Sequence, residues 1–399
     1  MAYFLLFLIW IAAAFFFPVL LRRFQIPWVT AVIFAGMLLG PYGLNVVNTG
    51  EVMDFLATIG LVFLMFTAGL DTRFSVLKKA GKEVITFSMV NLGIPFATGI
   101  LVGTYLGLNF FSALVLGVCF SSSSVGLIVP MLRELKIKPK VKSTLVSAIF
   151  LEDVISLVLL AILLKAVVPI SPIPLEIFPI VLLIFVLVVL YVIPIVQEWL
   201  FHFGPSKDVF AGGVRAVFIT VALVALMAEL IGVHAMVGGF LAGLTLSDML
   251  KRRKKLEANI IAISYGFLIP IFLLSLGMTT NIATIFAPGD ALATGLIVLS
   301  LIASKSVSGF LGGRLAGFPS RISLGMGVIT IAQMSTTLAT ASLAFRYGIF
   351  DENIVAALVL LSIVTIILTP LLTNLILGGI KEKPTKFTML WRGDKETLQ

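Results

Sequence analysis

Long apolar runs recur from one end of this chain to the other, and nothing else constrains its fold as tightly. A helix that crosses the hydrocarbon of a bilayer needs roughly 20 mostly apolar residues. Thirteen runs meet or approach that length, at about 3–21, 27–45, 52–70, 83–106, 109–132, 143–168, 176–200, 210–231, 233–249, 258–279, 289–313, 321–346 and 352–378. The weakest division falls at Gly232, since the run at 233–249 is short and glycine-rich. Composition agrees, with 60% of the 399 residues hydrophobic and 12% charged, where soluble domains carry about half and about a quarter. An all-α polytopic membrane protein of about 13 transmembrane helices is expected. Residues 1–380 would form one membrane unit and 381–399 a short basic tail.

The basic residues test this division. With the N-terminus outside, 25 of the 28 Lys and Arg fall in inner segments, among them Arg22, Arg23 and the run Lys251–Lys255. Only Lys165 and Arg346 fall in outer loops, and Lys305 lies inside a span. Such asymmetry is what the positive-inside rule demands, and one missed or invented helix would invert every later loop. The expected setting is a multi-pass protein of the cell's inner membrane, with an outside N-terminus and a cytoplasmic C-terminus. The net charge of +9 then reflects topology and anionic inner-leaflet lipid, not a nucleic-acid partner. No basic segment precedes the first run and no small-residue cleavage signal follows it, so a retained helix is expected there. One cysteine, Cys119, excludes an internal disulfide framework and a cysteine-based metal site. Two histidines, His202 and His234, leave little for a histidine-ligated metal. No nucleophile–base pair, phosphate loop or metal cluster stands out, so neither an enzyme nor a resident cofactor is expected.

Three ionisable residues lie near mid-span: Glu152, Asp153 and Lys305. Charged groups at that depth are costly and usually functional. Neighbouring residues on a helix point about 100° apart, so Glu152 and Asp153 cannot face one partner equally. One carboxylate can meet Lys305 while the other lines a cavity, leaving a local charge of −1 for a transported ion. The plainer reading is a buried structural ion pair with a spare acid. The scarcity of mid-membrane charge favours the functional one.

Two polar interruptions accompany them. The fifth run contains Cys119-Phe120-Ser121-Ser122-Ser123-Ser124-Val125-Gly126, followed by Pro130, a poor continuous helix. A helix broken at mid-membrane offers carbonyls and half-helix ends to a cation; the alternative is a small-residue face packed on a neighbour. The twelfth run contains Gln333-Met334-Ser335-Thr336-Thr337. It lies seven runs later, and an odd offset reverses direction across the bilayer. Residues 1–168 and 210–378 would then form an inverted repeat around a linker helix at 176–200, with two broken helices crossing. Glu229, at the outer end of its run, is expected at the surface, and Asp71 is expected to pair with Arg73 or nearby lysines.

These residues resemble a family. Ile59-Gly60-Leu61-Val62-Phe63-Leu64-Met65-Phe66-Thr67-Ala68-Gly69-Leu70, Gly40-Pro41, Ala228-Glu229-Leu230-Ile231-Gly232, Gly238-Gly239-Phe240-Leu241-Ala242-Gly243 and Pro270-Ile271-Phe272 with Gly277 are similar to signatures of the monovalent cation:proton antiporters, in the branch of bacterial and archaeal sodium/proton antiporters and potassium-efflux proteins. The resemblance runs from about residue 5 to 378. It implies a homodimer in membrane lipid, each protomer having a dimerisation subdomain and a moving core subdomain. Asp153 matches the carboxylate that binds cation or proton, Glu152 the position before it, and Lys305 its basic partner. Ser123 and Ser124 match a site where the family often has Thr-Ser, and with Asp153 they would hold the transported cation; Ser122 is a further candidate. Gln333 stands where many members carry Glu. The function implied is exchange of a monovalent cation, sodium foremost and otherwise potassium or lithium, for protons by competition on Asp153. The alternative is a potassium/proton antiporter or gated potassium-efflux protein. A channel and an organic-anion carrier are rivals from other classes, and the acidic site disfavours the carrier.

Overall fold

The computed structural model describes residues 2–21, 23, 28–47, 50–71, 81–124, 127–128, 131–132, 135, 137–167, 173–174, 176–203, 209–281 and 290–377. Val125, Gly126 and Pro130 of the serine-rich run, the basic residues Arg22, Arg73, Lys78, Lys79, Arg133, Lys136 and Lys207, and the tail 381–399 lie outside them. The regular elements among the described residues are all helical. In chain order they are α1 (Ala2–Leu21), α2 (Trp28–Leu39), α3 (Glu51–Asp71), α4 (Lys82–Tyr105), α5 (Phe110–Ser121), α6 (Pro139–Val167), α7 (Phe178–Tyr191), α8 (Ile193–Phe203), α9 (Val209–Leu230), α10 (Ala235–Arg252), α11 (Lys254–Ile263), a π-turn (Ser264–Leu268), α12 (Ile269–Met278), α13 (Asp290–Leu315), α14 (Ser320–Ile329), α15 (Ser335–Arg346) and α16 (Glu352–Leu377). Nine helical stretches among the described residues are long and apolar enough to cross a membrane, and α2, α5 and α14 are shorter apolar helices. Each of the thirteen expected runs carries at least one helix.

Local chemistry explains the departures. The second run was expected to reach residue 45, yet α2 stops at Leu39 and the chain turns at 40–44, where Gly40 and Pro41 follow. Proline restricts the residue before it to extended backbone. The linker run divides at Val192, where Pro194, lacking an N–H, sits in the first turn of α8. Pro270 likewise follows the π-turn between α11 and α12. Helices α4 and α13 end alike. Gly107 (φ +81°) and Gly317 (φ +85°) take the left-handed conformation that closes each C-terminus.

The helices pack in two groups. One holds α1–α3 and α7–α12; the other holds α4–α6 and α13–α16. In the first, α3 lies against α10 and α2 against α12; in the second, α4 lies against α5 and α13, and α16 against α13 and α14. Glycines allow these backbones to touch. A Cβ on Gly243 of α10 would lie 2.0 Å from the Phe66 carbonyl of α3, and one on Gly277 of α12 would lie 2.2 Å from that of Ile33 on α2. Small residues serve this purpose in lipid, where apolar burial gives helices little reason to associate. Across the two groups, α15 meets α3.

Candidate functional site

Helix α5 stops at Ser121, and Ser122–Ser124 continue without helical structure. Consecutive serines invite this because their hydroxyls compete for backbone carbonyls: Ser121 Oγ donates to the Val118 carbonyl at 2.8 Å. Helix α14 stops at Ile329, and the chain resumes helix only at Ser335. The two breaks cross and are bonded together. Ser124 N donates to the Ala332 carbonyl at 2.7 Å, Ser123 Oγ to the Thr330 carbonyl at 3.0 Å, and Gln333 Nε2 to the Ser122 carbonyl at 2.7 Å. Gln333 Oε1 accepts from the Thr337 hydroxyl, and Gln333 N donates to Thr365 Oγ1 of α16 at 3.2 Å. Unwound backbone at membrane depth needs such internal partners.

The charged side chains gather at this crossing. Helix α6 brings Glu152 and Asp153, and α13 brings Lys305; they are 0%, 1% and 0% exposed. Lys305 Nζ donates to the Ser121 carbonyl at 2.7 Å, the Asn91 carbonyl at 3.2 Å and Glu152 Oε2 at 3.4 Å. The Ser121 carbonyl is the last of α5, the negative end of that half-helix, so the ammonium also caps a dipole. Asp153 is bonded elsewhere. Its Oδ1 accepts from Thr336 Oγ1 at 3.3 Å, and Thr336 lies in the first turn of α15, a positive helix end that favours an anion.

The candidates from the sequence therefore divide. Glu152, Lys305 and Ser123 meet, with Ser123 Oγ 3.5 Å from Glu152 Oε2. Asp153 is held by Thr336 and faces the backbone N–H of Ser123. The hydroxyls of Ser122 and Ser124 are buried without a hydrogen-bond partner. Gln333 braces the two breaks. Glu229 and Asp71 are exposed, and Arg73, one of the partners expected for Asp71 beside the nearby lysines, lies outside the described residues.

Asn91, which the sequence alone does not mark, also belongs to the site. Its Nδ2 donates to both oxygens of Glu152, at 2.9 and 3.0 Å. Its Oδ1 accepts from Ser308 Oγ at 2.9 Å and Thr330 Oγ1 at 3.2 Å. The signal available was a single carboxamide within the apolar stretch 82–105. Thr336 lay inside the noted interruption without being singled out. Ser308 and Thr330 gave no signal, since hydroxyls are common on packed membrane helices.

A family described as "Sodium/hydrogen exchanger, transmembrane" matches residues 11–377. The chain is 33% identical over 377 residues to the probable Na(+)/H(+) antiporter 3 of Methanocaldococcus jannaschii, covering 94% of this chain and 96% of that one. It is 25% identical over 362 residues to the Na(+)/H(+) antiporter of Enterococcus hirae, at 88% and 92% coverage. It is 24% identical over 367 residues to the Na(+)/H(+)-K(+) antiporter GerN of Bacillus cereus, at 90% and 92%. Its fold is similar to that of the sodium proton antiporter MjNhaP1 of Methanocaldococcus jannaschii, with a TM-score of 0.71 and 17% identity over 95% of this chain and 99% of that one. A profile match across nearly the whole membrane unit, a relative sharing a third of its residues and a common fold leave one assignment: the chain belongs to the sodium/hydrogen exchanger family, multi-pass membrane proteins that are secondary transporters and not enzymes.

Proposed function

We propose that this protein exchanges a monovalent cation, sodium foremost, for protons, and that the two compete for Asp153. The observation that carries this reading is the division of labour within the buried acidic pair. Lys305 and Asn91 hold the charge of Glu152, while Asp153 accepts a hydrogen bond from the Thr336 hydroxyl at the mouth of a half-helix. A carboxylate removed from water is stable only when a proton or a cation compensates it. Hard cations take oxygen ligands, and the hydroxyls of Ser123 and Ser124, with carbonyls of the breaks, are the neutral oxygens at hand; Ser122 adds one more. Exchange follows if the second helix group crosses only with Asp153 compensated by one or the other. The sodium/proton names of the relatives support sodium. The name of GerN includes potassium, and that is the second reading.

The same proposal includes thirteen crossings, an outside N-terminus and cytoplasmic C-terminus in the inner membrane, and an inverted repeat of 1–168 and 210–378 about 176–200. Packing partners support the repeat: α3 with α10 answers α12 with α2, and α4 with α5 answers α13 with α14. It includes a homodimer of two-subdomain protomers, supported by the exposed apolar residues of α1 (Phe4, Leu8 and Phe16).

The test is purified protein in liposomes with an internal pH dye, challenged in turn with sodium, lithium and potassium. Wild type is expected to show sodium-driven proton flux and Asp153→Asn none. Flux retained by Asp153→Asn overturns the assignment, and a response to potassium above sodium selects the second reading.

A further inference from the structure

We propose that Asn91 is a positioning residue of the exchange site, one that fixes Glu152 onto Lys305 and so leaves Asp153 as the exchangeable carboxylate. The inference rests on the antiport reading above and adds a residue to it. Asn91 is wholly buried on α4, and each of its polar side-chain atoms is engaged. Its amide nitrogen spans the Glu152 carboxylate at 2.9 and 3.0 Å. Its amide oxygen accepts from Ser308 on α13 and from Thr330 at the break after α14. Its main-chain carbonyl takes a bond from Lys305 at 3.2 Å.

The orientation of this amide follows from its partners. A carboxylate only accepts, so it must face the nitrogen; two hydroxyls are then left to donate to the oxygen. The residue thus touches four partners on three elements that hold the site: α6, α13 and the second broken helix. The Lys305–Glu152 contact at 3.4 Å is long for a charge-assisted bond. The direct amide bonds to Glu152 are shorter, so Asn91 does more than Lys305 to set where that carboxylate lies. Without it, Glu152 is free to turn, and Lys305 is free to meet Asp153 instead.

Asn91→Asp separates this role from packing. It keeps the shape and the acceptor for Ser308 and Thr330, but replaces the donor aimed at Glu152 with a repelling oxygen and adds a negative charge to the buried site. Sodium-driven exchange in liposomes is expected to fall by about tenfold or more, the effect of leaving a buried charged group without its donor. The pH profile of exchange gives a readout that packing alone does not move. With Glu152 no longer held on Lys305, its charge falls on Asp153, and like charge favours the protonated form there, so half-maximal exchange is expected at a pH about one unit higher. Asn91→Leu, which removes the amide without adding charge, is expected to shift the profile the same way. Wild-type-like exchange by Asn91→Asp, or an unshifted profile in Asn91→Leu, overturns the proposal. Size-exclusion chromatography shows which variants fold: where Asn91→Asp does not, the profile of Asn91→Leu decides, and failure of both to fold makes the role one of packing and overturns the proposal. Wild-type flux measured alongside separates these outcomes from failure of the antiport reading.

Discussion

Lys305 carries more of the site than its charge alone suggests. Its ammonium has three acceptors, the Ser121 carbonyl, the Asn91 carbonyl and Glu152, and it is wholly buried. Removing one partner of a buried ion pair leaves the other charge uncompensated, which costs about 3–5 kcal/mol, whereas replacing both by neutral groups is often close to neutral. Lys305→Gln is therefore expected to lower the thermal unfolding midpoint in detergent markedly, and Glu152→Gln/Lys305→Gln to regain most of that loss. Equal midpoints for Lys305→Gln and wild type would show the pair to be incidental to folding. The three charged residues were legible in the sequence because charge in an apolar run is rare and expensive. Which carboxylate faces the cation was open from the residues alone, because that depends on how α6 is rotated about its axis; only the resemblance, which pairs Lys305 with position 152, pointed to the contact that is found. Asn91 and Thr336 were hidden for another reason. A lone amide or hydroxyl on a membrane helix satisfies its packing as readily as a site, and only the meeting of α4, α6, α13 and the two breaks distinguishes them.

At the scale of helices, the order of elements was legible from apolar runs and basic loops, and the two breaks from clustered hydroxyls and an amide. The short α2 and the divisions at Pro194 and Pro270 were not, since proline sits within many membrane helices without dividing them. The Gly238-Gly239…Gly243 stretch, noticed first as a resemblance, has a physical reason in the fold. On α10, Gly239 and Gly243 let the backbone lie against α3, where added Cβ atoms would come within 2.5 Å of the Val62 carbonyl and 2.0 Å of that of Phe66. An alanine at 243 must push the two helices apart. Gly243→Ala is expected to destabilise the protein by about 1–3 kcal/mol, the usual cost of overpacking. Gly93 on α4 has no atom within 4 Å of a built Cβ, so Gly93→Ala is expected to be neutral or mildly stabilising, by up to about 1 kcal/mol. Thermal unfolding of both variants in one detergent checks the contrast; similar midpoints for the two would mean that α3 and α10 yield easily.

For the whole molecule, alternation between two sides requires the two helix groups to move against each other, and polar contacts join them at one end. Arg346, closing α15, donates to Thr58 Oγ1 at 2.8 Å and to the Asp54 carbonyl at 3.4 Å, both at the start of α3. Tyr42, just after α2, donates to Glu352 at the start of α16. The proposed topology puts all of these at the outer face. They bridge the groups where α15 and α3 approach, so a sliding motion of the second group must break them before that end opens. The contacts are exposed hydrogen bonds, and a typical hydrogen bond contributes about 0.5–1.5 kcal/mol net. Together, at the low end of that range, they bias the two states by roughly tenfold, since about 1.4 kcal/mol is one decade in an equilibrium constant. A latch of that size holds one state without trapping it. Arg346→Ala/Glu352→Gln is expected to raise deuterium uptake at both ends of the contact, residues 51–58 on α3 and 340–352 across α15 and its exit, because releasing either group exposes both. Uptake within α13, inside the second group, is expected to stay the same. A rise confined to residues 340–352 would mean that the substitutions only fray their own helix ends, and that closure of this face is held by apolar contact between α3 and α15 instead.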